Sequence, residues 1–496
     1  METQTRPGCT RSIQITKAVA YTLLTIAVAR FWIAPLGSSL WRDEAGTLWT
    51  IKDGLAQMFV RIQAWPSISA AYGIICWLAY AIGGAKEYVL RLPSVIAIIA
   101  ATWLVHRLAK RLFGCEAAFP AVGVFASCET VIFAGADARP YALVLLAVAA
   151  STLLLVRWLG SGALPDAAGY VITAALAVYL HYLVFPVLGA HAAYAFMRLQ
   201  EGSPVRLKGL LSAAACTGML LVPLSPVFLH LARDRQAHSY VERPSLMSLA
   251  AACAPAVLLC SVGLGLCAAK LVCRRISAEP WNLPRSTTVL LACLGLGPVF
   301  LLFAVSNFTS AHVFLPRYFI ESQIALALFG GWAIGRIRPE MARWMLVVAI
   351  LLCSIAAFGS WRYVRPPHNH EDWRAAMATV RRIVRNPTTP VLFQSGFVES
   401  STENVELTTG TGFLTAPLSI YPAAGRVIVI PYKFDENSRR YMESVASRLE
   451  GRCSRFVLVT CTGDYWPAWV AGRLHNYSAS TVRNLDEITI MVFQAR

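Results

Sequence analysis

The chain has 496 residues, of which 56% are hydrophobic and 14% charged. Soluble domains carry about 25% charged residues, so this deficit excludes a plain string of soluble domains and points to membrane spans. The formal net charge is +17, yet no run of five Lys or Arg occurs and the basic residues flank apolar stretches, as they do at cytoplasmic span ends; no nucleic-acid partner is expected.

The first apolar run starts near Ile15, after Arg6 and Arg11, and ends in Phe31-Trp32-Ile33. It is long and runs on through Phe31-Trp32-Ile33, so it is expected to stay as a first span over 15–36. Further runs of near-membrane length cover 92–107, 115–135, 141–158, 168–184, 185–198, 209–229, 248–269, 287–305, 318–335 and 343–360, about eleven spans in all. Residues 68–84 form a shorter, Gly-flanked stretch expected to lie as a helix along the membrane surface. With the N-terminus in the cytoplasm, inner segments hold 17 Lys and Arg and the longer outer loops hold 10. The excess of basic residues on cytoplasmic loops supports this orientation and puts the C-terminus outside.

After Gly359 the composition turns polar. Runs at 390–393, 427–430, 456–459 and 488–492 read as strands, and 371–385 and 438–449 as helices. The expected fold is therefore mostly α: a polytopic transmembrane helical bundle over residues 1–360, its outer loop 37–91 carrying an acidic motif, and a small extracytoplasmic α/β domain over 361–496. Most cysteines lie in apolar runs and act as small apolar side chains. Cys453 and Cys461 flank a strand that holds them too far apart to pair with each other.

Five outer-face features carry chemistry. Arg42-Asp43-Glu44 follows the first span directly. These acids read either as a helix N-terminus or as a general base with a raised pKa at a cavity. Asp137-Ala138-Arg139-Pro140-Tyr141 places a charged pair at a bundle mouth, where Arg139 either pairs with Asp137 or presents a planar fork to a phosphate. His181-Tyr182 sits at the outer end of the fifth span, as a core histidine or a ligand. Pro316-Arg317-Tyr318 opens the tenth span, where Arg317 is an interface anchor or a second phosphate ligand. The polar loop 230–247 reads equally as a lid or as a solvated connection. Glu129, inside the third span, is an intramembrane acid and a further candidate. The topology was drawn from charge alone, yet Asp43, Glu44, Arg139, His181 and Arg317 all fall on the outer side. Acids to activate an acceptor and cations to receive a phosphate leaving group suffice in principle for glycosyl transfer.

The order and spacing of four segments resemble the GT-C membrane glycosyltransferases, in the branch of the protein O-mannosyltransferases and aminoarabinose transferases. They are Trp41-Arg42-Asp43-Glu44-Ala45; Leu90-Arg91-Leu92-Pro93-Ser94 leading to Arg107 through Gly114; Ala138 through Leu143; and Pro316-Arg317-Tyr318. Asp372-Trp373-Arg374 is similar to the start of the family's soluble domain. The resemblance covers roughly residues 15–380. It implies a sugar donor on polyprenyl or dolichyl phosphate, a catalytic acid at Asp43 with Glu44 beside it, and inversion of the anomeric centre. Arg42, Arg139, Tyr141, His181, Arg317 and Tyr318 are the expected substrate contacts. Membrane lipids and a protein, lipid or polysaccharide acceptor are the expected partners, in the inner (plasma) membrane of a bacterium. Many relatives carry a His-Pro-Pro-like motif in the first loop. Here the region reads Trp65-Pro66-Ser67 without the histidine, so a divalent metal stays an open alternative and none is predicted. A transporter or lipid flippase is the competing class; the chain shows no internal repeat, and its charged residues gather at one face.

Overall fold

The computed structural model describes residues 7–65, 68–233, 242–273, 275–359, 370–397, 400, 412–461 and 465–496. Packing divides the chain into two compact units, Met1–Leu36 with Arg91–Pro367, and Gly37–Leu90 with His368–Arg496.

The first unit is a helical bundle. Among the described residues, 7 helices are long and apolar enough to cross a membrane, rising to 9 if each of two bent pairs counts as one span. All the expected spans fall on helices. Two of them, Leu164–Leu180 and Ser322–Gly335, are shorter than the others. The run expected as a third span breaks after Ser127 and turns by 74° into Glu129–Gly135. Glu129 is therefore an exposed residue in the first turn of a short helix, not an acid in mid-span. Residues 234–241 of the candidate lid loop lie outside the described residues.

Helix association in a bilayer needs close backbone approach, because lipid is as apolar as Leu and gives no hydrophobic drive between spans. Ser322–Gly335 meets Cys115–Ser127 through small residues. A Cβ on Gly331 would stand 2.5 Å from the Ala121 Cβ and 2.8 Å from the Ala117 carbonyl oxygen, and one on Gly335 would stand 3.2 Å from the Ala117 backbone. Ion pairs tie the expected cytoplasmic ends of the bundle. Glu116 holds Arg338 at 3.1 Å and Arg343 at 2.7 Å, Glu279 holds Arg336 at 3.0 Å, and Lys17 reaches Glu340 at 2.7 Å. Two short antiparallel strands, β1 (Ser277–Ala278) and β2 (Ile337–Arg338), pair beside them.

The second unit contains a five-stranded mixed sheet in the order β4-β3-β5-β7-β6, with β3 Pro390–Phe393, β4 Arg426–Val429, β5 Arg455–Cys461, β6 Tyr477–Leu485 and β7 Ile488–Ala495. β3 runs parallel to β4 and β5, and β7 runs antiparallel to β5 and β6. The four buried residues of β3 fit a strand covered on both faces. Phe456, Leu458 and Phe493 from the sheet pack with Met442, Val445, Trp466 and Val470 from the helices Glu436–Leu449 and Tyr465–Arg473. Asp372 accepts a bond from the Ala375 N–H at 3.0 Å and starts the helix Trp373–Ile383; Asp435 does the same with the Ser438 N–H at 2.8 Å. The same unit holds three helices of the expected first outer loop, Arg42–Ile51, Leu55–Ala64 and Ala70–Gly83.

Replacing Gly331 with Val would push two methyl groups into a backbone contact that cannot yield. We expect a loss of about 1–3 kcal/mol, as for other overpacked cores, seen as a lower unfolding midpoint of the detergent-solubilised chain; an unchanged midpoint would refute the close approach.

Candidate active site

In the second unit, Trp41 has extended backbone and the chain enters a helix at Arg42. The acids fall in the first turn, where free N–H groups and the helix dipole favour negative charge. Glu44 is fully buried, and its carboxylate accepts the Trp41 N–H at 3.2 Å. It closes its own helix start. Arg42 turns the other way. Its Nε meets Glu371 at 2.8 Å, its Nη1 donates to the Gly396 carbonyl at 2.7 Å, and its Nη2 lies 3.7 Å from Glu487. Glu371 is 2% exposed and also accepts the Arg42 backbone N–H at 2.9 Å and the Trp373 indole N–H at 2.7 Å. Burial opposes the Arg42 charge, but the carboxylates of Glu371, Asp43 and Glu487 together hold the guanidinium protonated above its ordinary range. Burial pushes the Glu371 carboxyl up to about 7, against the pull of Arg42 and its N–H donors.

Asp43 is half-buried and close enough to Arg42 and Glu371 to act on both charges. Behind it, Gly46 receives the edge of Phe413, 3.2 Å from where a Cβ would stand. Phe413 also packs on Trp49, Trp65 and Phe397 at ring distances of 5.5, 5.1 and 4.5 Å. The turn that carries Asp43 is thereby fixed on a rigid aromatic cluster.

The oxygens of Glu371 and Glu487 and the Cys461 sulfur lie within 4.8 Å of one another, a spacing that could hold a metal ion. The Arg42 guanidinium already binds both carboxylates, so a metal would have to displace it. Burial also raises the Cys461 thiol well above its usual range, which disfavours the thiolate a metal requires.

The first unit assembles the basic and aromatic candidates. Tyr141 is buried at the start of Tyr141–Ser161, with its ring 5.6 Å from the His181 ring. His181 occupies the break between the Leu164–Leu180 helix and the turn Tyr182–Val184, and its ring lies 5.4 Å from Tyr318. The Arg317 guanidinium sits 5.5 Å over the Tyr318 ring, and His181 is within electrostatic reach of both Arg139 and Arg317. These five residues come from three separate stretches of chain and form one group. Arg42, Asp43 and Glu44 form another, within the second unit.

What Arg91 and Ser94 bind, and the buried acid Glu321, were not read from sequence. Arg91 is fully buried and donates to the Pro35 and Leu36 carbonyls at 2.9 and 3.2 Å, while the Ser94 hydroxyl donates to the Asp137 carbonyl at 2.6 Å. Ser94 thus holds the loop that carries Arg139, and Arg91 holds the end of the first span. Glu321 is fully buried, three residues past Tyr318, and among the described residues neither carboxylate oxygen has a hydrogen-bond partner. An acid at the mouth of an apolar run was the available signal for it.

Residues 70–236 match the family described as dolichyl-phosphate-mannose-protein mannosyltransferase. That stretch includes Arg91, Arg139, Tyr141 and His181, and excludes Asp43 and Arg317. No curated protein matches the chain by sequence. In structure, the chain is similar to ArnT from Cupriavidus metallidurans bound to undecaprenyl phosphate, with a TM-score of 0.56 at 11% identity over 95% of this chain and 97% of that one. It is similar to the apo state of the same protein at a TM-score of 0.53.

Removing Glu371 would leave the Arg42 charge largely buried with its main partner gone. Glu371→Ala should cost about 3 kcal/mol of stability. Glu371→Gln, whose amide oxygen still accepts from Trp373 or Arg42, should cost clearly less. Unfolding midpoints of the two variants in detergent provide the check, and a wild-type midpoint in both would refute the pairing of Glu371 with Arg42.

Proposed function

We propose that this chain, a multi-pass membrane protein with the GT-C glycosyltransferase fold, transfers a sugar from a polyprenyl-phosphate carrier to an acceptor at the outer face of a bacterial inner membrane. The observation that carries the reading is the group formed by Arg139, Tyr141, His181, Arg317 and Tyr318. Two guanidinium groups around a histidine, walled by tyrosines at helix ends, suit a phosphate that leaves bearing negative charge. The family match over residues 70–236 supports a sugar carried on a lipid phosphate, as does the lipid phosphate bound by the structural relative.

In this reading Asp43 is the general base. An acceptor hydroxyl or amine attacks the anomeric carbon, Asp43 takes its proton, and the bond from that carbon to the phosphate oxygen breaks. The polyprenyl phosphate leaves against Arg139 and Arg317, with His181 and Tyr318 donating hydrogen bonds and Tyr141 positioning the histidine. Attack from the face opposite the leaving group inverts the anomeric centre. A phosphate is already a good leaving group, so placement and electrostatics suffice. Arg42 and Glu44 are positioning residues: their polar groups bind Glu371 and the Trp41 N–H, and they hold Asp43 in place. The N-terminus lies in the cytoplasm and the second unit outside.

The test is transfer of radiolabelled sugar from polyprenyl-phosphate donors in native membranes, which supply the acceptor. Asp43→Asn should lower the rate by about 10²–10⁴-fold. Arg139→Gln and Arg317→Gln should each weaken inhibition by free polyprenyl phosphate. Full transfer by folded Asp43→Asn protein would sink the assignment of the base. Inserted wild-type protein that moves no label from any donor would favour a lipid flippase instead.

A further inference from the structure

At the far ends of the helices Glu87–Phe113 and Tyr141–Ser161 the first unit holds a cavity of about 970 Å³. That size is at the top of the usual range for small-molecule sites, about 300–1,000 Å³. His106, Arg107, Lys110, Arg111 and Arg157 line it, with the apolar side chains of Trp103 and Leu153. It is distinct from the group around His181. Arg157 stands ~16 residues beyond Tyr141 on the same helix, roughly 24 Å at 1.5 Å per residue.

The basic residues are held against one another. Arg107 and Arg111 stand one helical turn apart, where like charges repel. The Arg107 guanidinium lies 5.3 Å over the Trp103 ring. The Arg111 guanidinium is 3.3 Å from where a Gly160 Cβ would stand, which brings it against the neighbouring helix. Arg157 meets Asp166 at 3.0 Å. Among the described residues Asp166 is the only carboxylate in an ion pair with any of the five. The basic ends elsewhere in this bundle are matched by Glu116, Glu279 and Glu340. Span-end cations explain basic residues near the water, but not a cavity into which they converge with so few acids.

We propose that this cavity binds the phosphodiester headgroup of an anionic phospholipid. The cations supply the charge match for a headgroup between spans. Trp103, 58% exposed, and Leu153 supply an apolar wall beside the charges, which a glycerol and acyl chain would cover and a free anion would not. The inference is independent of the glycosyl-transfer reading. The orientation proposed above makes the lipid one of the cytoplasmic leaflet.

The experiment is native mass spectrometry of the full chain in detergent, titrated with phosphatidylglycerol, cardiolipin or phosphatidylcholine and read as lipid occupancy. The anionic lipids should bind and survive collisional activation, while phosphatidylcholine should not. Arg107→Gln/Lys110→Gln/Arg111→Gln should weaken them roughly a hundredfold. Leu153→Trp keeps every charge but pushes a bulkier ring into the apolar wall where the acyl chain would lie, so it should also weaken their binding and thus separates a shaped site from general attraction. Unfolding midpoints in lipid-free detergent identify a variant that fails to fold. Wild-type affinity in folded Leu153→Trp protein would overturn the proposal, as would equal binding of phosphatidylcholine. Complete displacement of the lipid by millimolar inorganic phosphate would also overturn it, in favour of a soluble anion. Because the readout is lipid occupancy, a protein that transfers no sugar still tests it.

Discussion

Hydrocarbon offers no hydrogen-bond partner to a peptide group, so a span stays helical for as long as it faces lipid. Chemistry in such a chain is pushed to the places where helices end or break. The bundle shows this at three points: the 74° break before Glu129, the interruption at His181, and the 3-10 turn Pro316–Phe319 that precedes Ser322–Gly335. Helix ends free backbone groups as well, and buried polar side chains take some of them up. Arg91 serves the carbonyls of Pro35 and Leu36, and Ser94 that of Asp137. Tyr141, His181 and Tyr318, which gather where these breaks fall, form the ring chain that carries the phosphate reading.

A division of labour of the same kind runs through Arg42-Asp43-Glu44. Neighbours on a helix point about 100° apart, so three consecutive residues face three ways. Glu44 points back to its own N-terminus and Arg42 to Glu371. Only Asp43 is left with a half-exposed carboxylate in the first turn. A triplet that reads as one cluster of charge in sequence is one candidate base with two residues that hold it.

Elements with strong periodic burial were legible from sequence. The spans stood out because apolar length is itself the signal, and β3 and β5 because both faces of each strand are buried. β6 was not seen: it is an edge strand, nearly all exposed, held by its ladder to β7 and by the two-residue turn at Asp486. Its residues, Tyr477 through Leu485, carry no run of apolar side chains. The candidate residues were legible as residue types. What each binds was not, since the partner of Arg42 is Glu371 and lies more than 300 residues away in sequence. Glu321 was passed over because the apolar run around it reads as a span opening, and only burial marks the carboxyl as unusual.

The seam between Ser322–Gly335 and Cys115–Ser127 has a mechanical consequence. Motion between packed helices normally proceeds by side chains hopping rotamers as ridges slide over grooves. Gly331, Gly335, Ala117 and Ala121 have no rotamers to hop. The two helices meet backbone to backbone, so sliding one along the other would drive main-chain atoms together, and the pair is built to move as one body.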